Sequence, residues 1–170
     1  MMLGMSLATF TALHVLISLA AIASGLAVVF GMLAGKTLDG WTGFFLATSA
    51  LTSITGFMFP VEKVTPGIIL GIISLAVLAI TVPARYTLHM AGAWRSIYAV
   101  GATLALYLNV FVLVVQLFEK VPALHALAAT QSEAPFAIAQ LLVLTGFIVL
   151  GTLATKRFRR ARLGAAAQAA

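Results

Sequence analysis

Cysteine is absent from the 170 residues. No disulfide, thiolate metal site or cysteine nucleophile exists in this chain, and cysteine usage says nothing of its redox compartment. Charge is nearly as scarce. Charged residues make up 8% of the chain and hydrophobic residues 62%, whereas a soluble domain carries roughly 25% charged residues. A soluble fold of this length cannot hide so much apolar surface, so lipid must be part of the solvent. No charged side chain precedes Lys36. The first apolar run is also far longer than the ~7–15-residue core of a signal peptide, so it reads as a membrane helix rather than a leader. Catalytic fingerprints are missing too: there is no Walker A loop, HExxH, GxSxG or dinucleotide motif in context, and no repeat at a fixed period.

What is present is a succession of apolar runs separated by polar or proline-containing turns. A spanning helix needs about 20 mostly apolar residues. The pattern predicts an all-α, polytopic integral membrane helix bundle of five transmembrane helices, over about residues 7–33, 41–59, 66–82, 96–118 and 135–154. Residues 1–155 form the bundle and 156–170 a basic cytoplasmic tail; its last stretch, Gly164 to Ala170, is small in residue type and expected to be mobile or weakly helical. The third run is the shortest and is expected to stop at Pro83. The alternative is a four-helix protein in which the second and third runs merge into a re-entrant hairpin. Pro60, Glu62, Lys63 and Pro66 favour a true turn, with Thr65 as N-cap and Pro66 in the first turn.

Lysine and arginine set the orientation. With five spans, Lys36, Arg85, Arg95 and the tail residues Lys156, Arg157, Arg159, Arg160 and Arg162 share one side, while Lys63 and Lys120 lie on the other. The positive-inside rule places the larger group in the cytoplasm and the N-terminus outside, as in a bacterial inner membrane protein. Trp41, Tyr86, Trp94 and Tyr98 fall at the inner boundary, where amphipathic rings anchor helices. The basic tail reads as a topology signal beside an anionic leaflet, so nucleic acid is not expected as a partner. The expected partners are the bilayer, further copies of the chain, or a larger membrane complex.

No Asp, Glu, Lys or Arg lies within the five predicted spans, which argues against a carboxylate proton relay. The titratable group at membrane depth is His14, on a small-residue stripe with Ser18, Ala21 and Gly25 that suits close helix packing. Asn109 and Gln116 share a face of the fourth helix, and Gln140 lies near the outer start of the fifth. Thr48, Ser49, Thr52, Ser53 and Thr55 crowd the second. His14, Ser18, Asn109, Gln116, His125 and Gln140 therefore form a candidate polar pocket or ligand site in the outer half. The other reading is interhelical hydrogen bonding. His125 sits in the longest loop, Glu119 to Ala134. A b-type haem on two histidines would require that loop to fold back over His14. On the inner side, Arg85, His89, Trp94 and Arg95 are candidate contacts for an anionic lipid or quinone head, or plain interface anchors.

Three functions follow. The leading one is a non-enzymatic membrane subunit that binds partner proteins, lipid or itself. The second is a haem- or quinone-associated redox protein using His14. The third is a small neutral-solute transporter or channel lined by the hydroxyls of the second helix.

Overall fold

A computed structural model describes residues 4–60 and 65–169, with side chains as far as Ala161. Glu62, Lys63 and the side chain of Arg162, which entered the charge argument above, lie outside the described residues. The described residues form the helices α1 (Leu7–Leu33), α2 (Asp39–Phe57), α3 (Pro66–Tyr86), α4 (Trp94–Lys120), α5 (Pro122–His125) and α6 (Ala134–Ala169). This is an all-α membrane helix bundle.

Local chemistry explains the helix ends. Ser6 caps α1, its hydroxyl accepting from Thr9 N–H at 3.1 Å. Thr65 caps α3 in the same way, with Pro66 in the first turn, as predicted. The end of α1 closes in a Schellman turn: Lys36 N–H donates to Gly31 O at 2.8 Å and Gly35 N–H to Met32 O at 3.0 Å. Gly35 takes the left-handed conformation this needs, φ +73°.

Four helices, α1, α3, α4 and the Ala134–Ala161 part of α6, are long and apolar enough to cross a membrane. That number agrees with the four-span alternative, although α2 and α3 are separate helices rather than one re-entrant hairpin. The 19-residue α2 is long enough but less apolar, because six of its residues are serine or threonine. It nevertheless lies antiparallel against α1 from end to end. Leu38 touches Gly31, Phe45 touches Gly25, Thr55 meets His14 and Phe59 meets Phe10.

Several predicted boundaries change. α2 lies two residues earlier than expected, at Asp39–Phe57. α3 does not stop at Pro83 but continues to Tyr86. Proline there removes only one backbone donor near the helix end, and the last turn is held by Thr87 and Leu88 N–H donating to Pro83 O at 3.0 and 2.9 Å. α4 extends two residues beyond its expected range at each end. α6 does not end near 154 but continues through the basic tail to Ala169, since Lys, Arg, Ala and Gln all favour helix. Phe158, near the start of that tail, is completely buried.

α1, α2 and α4 touch one another, α3 lies against α2 and α4, and α6 lies against α4 and α1. Close approach depends on missing side chains. A Cβ on Gly25 would lie 2.7 Å from both Phe45 and Leu106, and one on Gly101 would strike Thr81. The small stripe of α1 is thus a packing surface. Its Ala21 and Gly25 are buried. In α3, Gly71 packs on Phe57, whereas Gly67 meets only the capping Thr65.

Candidate functional site

The starts of α2 and α4 and the ends of α1, α3 and α6 meet at one end of the bundle, which carries Lys36, Arg85, Arg95, Lys156, Arg157, Arg159 and Arg160. Arg85, expected among the lipid-facing groups, turns inward. Its side chain is 6% exposed and pairs with Asp39, which is 78% exposed. Its other nitrogen donates to Met90 Sδ at 3.0 Å, and its guanidinium lies 5.4 Å above the Tyr98 ring. Tyr98, expected as an interface anchor, is fully buried. Thr42 donates its hydroxyl proton to Thr37 O at 3.1 Å, so the Tyr98 hydroxyl donates to Thr42 Oγ1 across 3.2 Å. Phe158 of α6 stands 6.0 Å from the Tyr98 ring. Arg95 covers that phenylalanine at 3.6 Å and donates to its carbonyl at 2.8 Å. The cluster ties four helices together around one buried guanidinium. Trp41, Tyr86 and Trp94 stay substantially exposed, as anchors should. His89 is also exposed, in a left-handed turn with Met90.

The polar residues expected in the other half are split among three helix pairs. Between α1 and α2, His14 Nδ1 meets Thr55 Oγ1 at 2.8 Å and its ring stacks edge-on against Phe59, while Ser18 donates to His14 O at 2.8 Å. Between α2 and α4, Asn109 donates to Ser49 Oγ at 3.2 Å and to Ala105 O at 3.0 Å. Between α4 and α6, Gln140 donates to Phe111 O at 3.2 Å, leaving its buried Oε1 without a partner. Gln116 is exposed. The hydroxyls of α2 mostly turn back on their own helix: Thr48 donates to Phe44 O, Ser53 to Ser49 O and Thr55 to Leu51 O. These hydroxyl protons are spent within α2, although the oxygen can still accept, as Thr55 Oγ1 does in its bond with His14.

His125 does not approach His14. The helix α5 carries it exposed to solvent and touches α4 alone. The fold-back fails because α4 runs through Lys120 and the chain turns at once. Leu124 and His125 N–H bond to Val121 O, and the Gln131 side chain donates to Val115 O at 3.1 Å. A two-histidine haem site is therefore not assembled. No group of three or more His, Asp or Glu side chains able to hold a metal occurs among the described residues.

Asp39, Thr42 and Phe158 took no part in the sequence-level candidates. For Asp39 a signal existed: it lies in the same turn as Lys36, which the orientation argument placed on the side of Arg85. No family model matches the chain, and no curated protein or solved structure matches it either.

Proposed function

We propose that this chain is a non-enzymatic subunit of the membrane, acting through partner proteins, lipid or its own copies rather than through a reaction of its own. One observation carries it. Among the described residues, His14, Asn109 and Gln140 are each engaged in a different helix-to-helix pair rather than gathered around one site, whereas α6 leaves Ile138, Leu141, Leu142, Ile148 and Val149 more than half exposed. Such a face demands lipid or another helix. The expected result is a complex well above the 17.8 kDa of one chain when native membranes are solubilised gently and resolved by size with mass spectrometry. A lone monomer without partner overturns the reading.

The proposal includes five crossings. α2 begins beside Asp39 at the basic end and α3 returns to that end at Arg85. If α3 spans the membrane, α2 must cross as well, shielded by α1, α3 and α4. The basic end then faces the cytoplasm of a bacterial inner membrane, with the N-terminus outside. The cysteine-free sequence makes the test simple. Ser132→Cys should label with an impermeant maleimide in intact cells, and His89→Cys only after permeabilisation. The reverse pattern inverts the topology.

A second reading has one observation in its favour. Thr55 spends its only hydroxyl proton on Leu51 O, at 2.7 Å, so His14 Nδ1 carries the proton in their bond and Nε2 keeps its lone pair. That nitrogen suits a quinol hydroxyl or a single axial metal bond. Organic extraction and the visible spectrum of purified protein test it: no quinone and no Soret band would remove it.

A further inference from the structure

α4 and α6 leave a groove between them of about 470 Å³, within the ~300–1,000 Å³ of small-molecule sites. Its wall is apolar. The Tyr107 and Phe147 rings stand 5.7 Å apart, and its lips are the exposed Val100, Leu104 and Ile148. Lys156 closes one end. One turn further, Arg159 and Arg160 follow at i+3 and i+4, on the same side of α6. The acid described at that end, Asp39, is committed to Arg85.

Length and polarity name the occupant. The twelve helical steps from Leu144 to Lys156 cover ~18 Å at helical rise, close to one leaflet of a hydrocarbon core ~30 Å thick. The apolar part of the groove therefore runs the depth of one leaflet and ends in cations at headgroup level. Thr155 adds a polar mark near that end. Thr103 and Thr152, also in the wall, donate to carbonyls one turn back, but the buried hydroxyl of Thr155 has no partner. We propose that this groove holds one acyl chain of an anionic phospholipid, with its ester carbonyl at Thr155 and its phosphate on Lys156. The proposal deepens the subunit reading by naming lipid as a structural partner, and it rests on the basic end facing an anionic leaflet.

The test is native mass spectrometry of the full chain taken from vesicles of mixed phosphatidylglycerol and phosphatidylcholine. Wild type should retain one lipid, with the glycerol headgroup favoured about fivefold, the size of effect one lysine has near an anionic surface. Ile148→Trp fills the groove and should cut retention about tenfold or more. Lys156→Gln should keep the lipid but lose most of the headgroup preference. Ile138→Trp, an equally exposed site on α6 beyond the groove, should change neither. Where Ile148→Trp loses helical circular dichroism, Leu104→Trp on the opposite wall replaces it. Unchanged retention in the filled variant, or no headgroup preference in wild type, overturns the proposal. So does a wild-type dimer that Ile148→Trp converts to monomer, since the occupant is then a second copy. Lipid mass decides the groove, and copurification of partners decides the subunit reading, so either can fail alone.

Discussion

At the basic end, Val28, Met32, Phe45, Leu78, Tyr98, Leu106 and Phe158 interlock as a continuous buried cluster drawn from five helices. At the opposite end the buried hydrophobic residues among those described are Phe10, Phe118 and Ala128. There the helices are joined by isolated contacts, such as His14 with Thr55, Gln140 with Phe111 O, and the ring pairs Phe10–Phe59 and Phe118–Phe136. In lipid there is no hydrophobic force between helices, so stability follows close packing and hydrogen bonds. One end is thus a fastened base. The other is a looser set of helix tips. Stability is expected to be distributed accordingly.

The largest expected effect is Tyr98→Ala. It removes the biggest fully buried side chain at the base and leaves Arg85 without its ring and Thr42 without its donor. Unfolding in mixed micelles should show a loss of ~3 kcal/mol or more; a change below half of that would break the comparison. Glycine substitutions sharpen it next, because the same chemical change should have opposite signs at the two ends. Gly25→Ala pushes a methyl into Phe45 and Leu106, both fully buried, and should cost ~1–3 kcal/mol. A methyl on Gly56 meets only His14, at an ordinary 3.8 Å. Gly56→Ala should instead gain up to about 1 kcal/mol from helix propensity. Equal melting shifts for the two variants would mean the ends are packed alike.

Asp39→Asn comes third. It leaves the buried Arg85 charge without its carboxylate, but Asp39 itself is well exposed, so solvent can replace much of what is lost. A loss of ~1 kcal/mol is expected, falling as salt rises. A neutral result would move the fastening of the base from the ion pair to the aromatic cluster alone.

The sequence was informative along the helix axis and much less so around it. Apolar runs located every long helix, and the sorting of Lys36, Arg85, Arg95 and Lys156–Arg160 to one end follows from counting crossings. Rotation was harder to read. A helix bathed in lipid is apolar on both its inner and outer faces, so periodicity does not mark the buried one. Tyr98 and Trp94, one turn apart, looked equivalent, yet one is the centre of the core and the other lies exposed at the surface. The same gap explains the candidate pocket. His14 and Gln140 were matched by depth, but each bonds to a different neighbour. Pro83 misled for another reason: its missing donor costs one bond, and the turn beyond it is closed by Thr87 and Leu88 N–H on Pro83 O.

The smallest effect concerns the exposed loop that follows α5. Glu133 accepts from Thr130 N–H and Oγ1, both at 3.1 Å, and from Ser132 N–H at 3.0 Å. These bonds favour its ionised form, the Thr130 backbone N–H foremost, and hold its carboxyl below the usual glutamate range. A carboxylate with a lowered folded-state pKa supports the fold above its unfolded value. It loses that support as pH falls through the folded one. The Thr130 and Ser132 amides should therefore be protected from hydrogen exchange at neutral pH. After correction for intrinsic rates, protection should begin to fall below about pH 4.3, the ordinary glutamate value, and be lost below the lowered one. Glu133→Gln should remove that pH dependence without altering the melting of the basic end. Were its melting to follow Glu133, the two ends would be a single cooperative unit and the contrast between them would be one of packing alone.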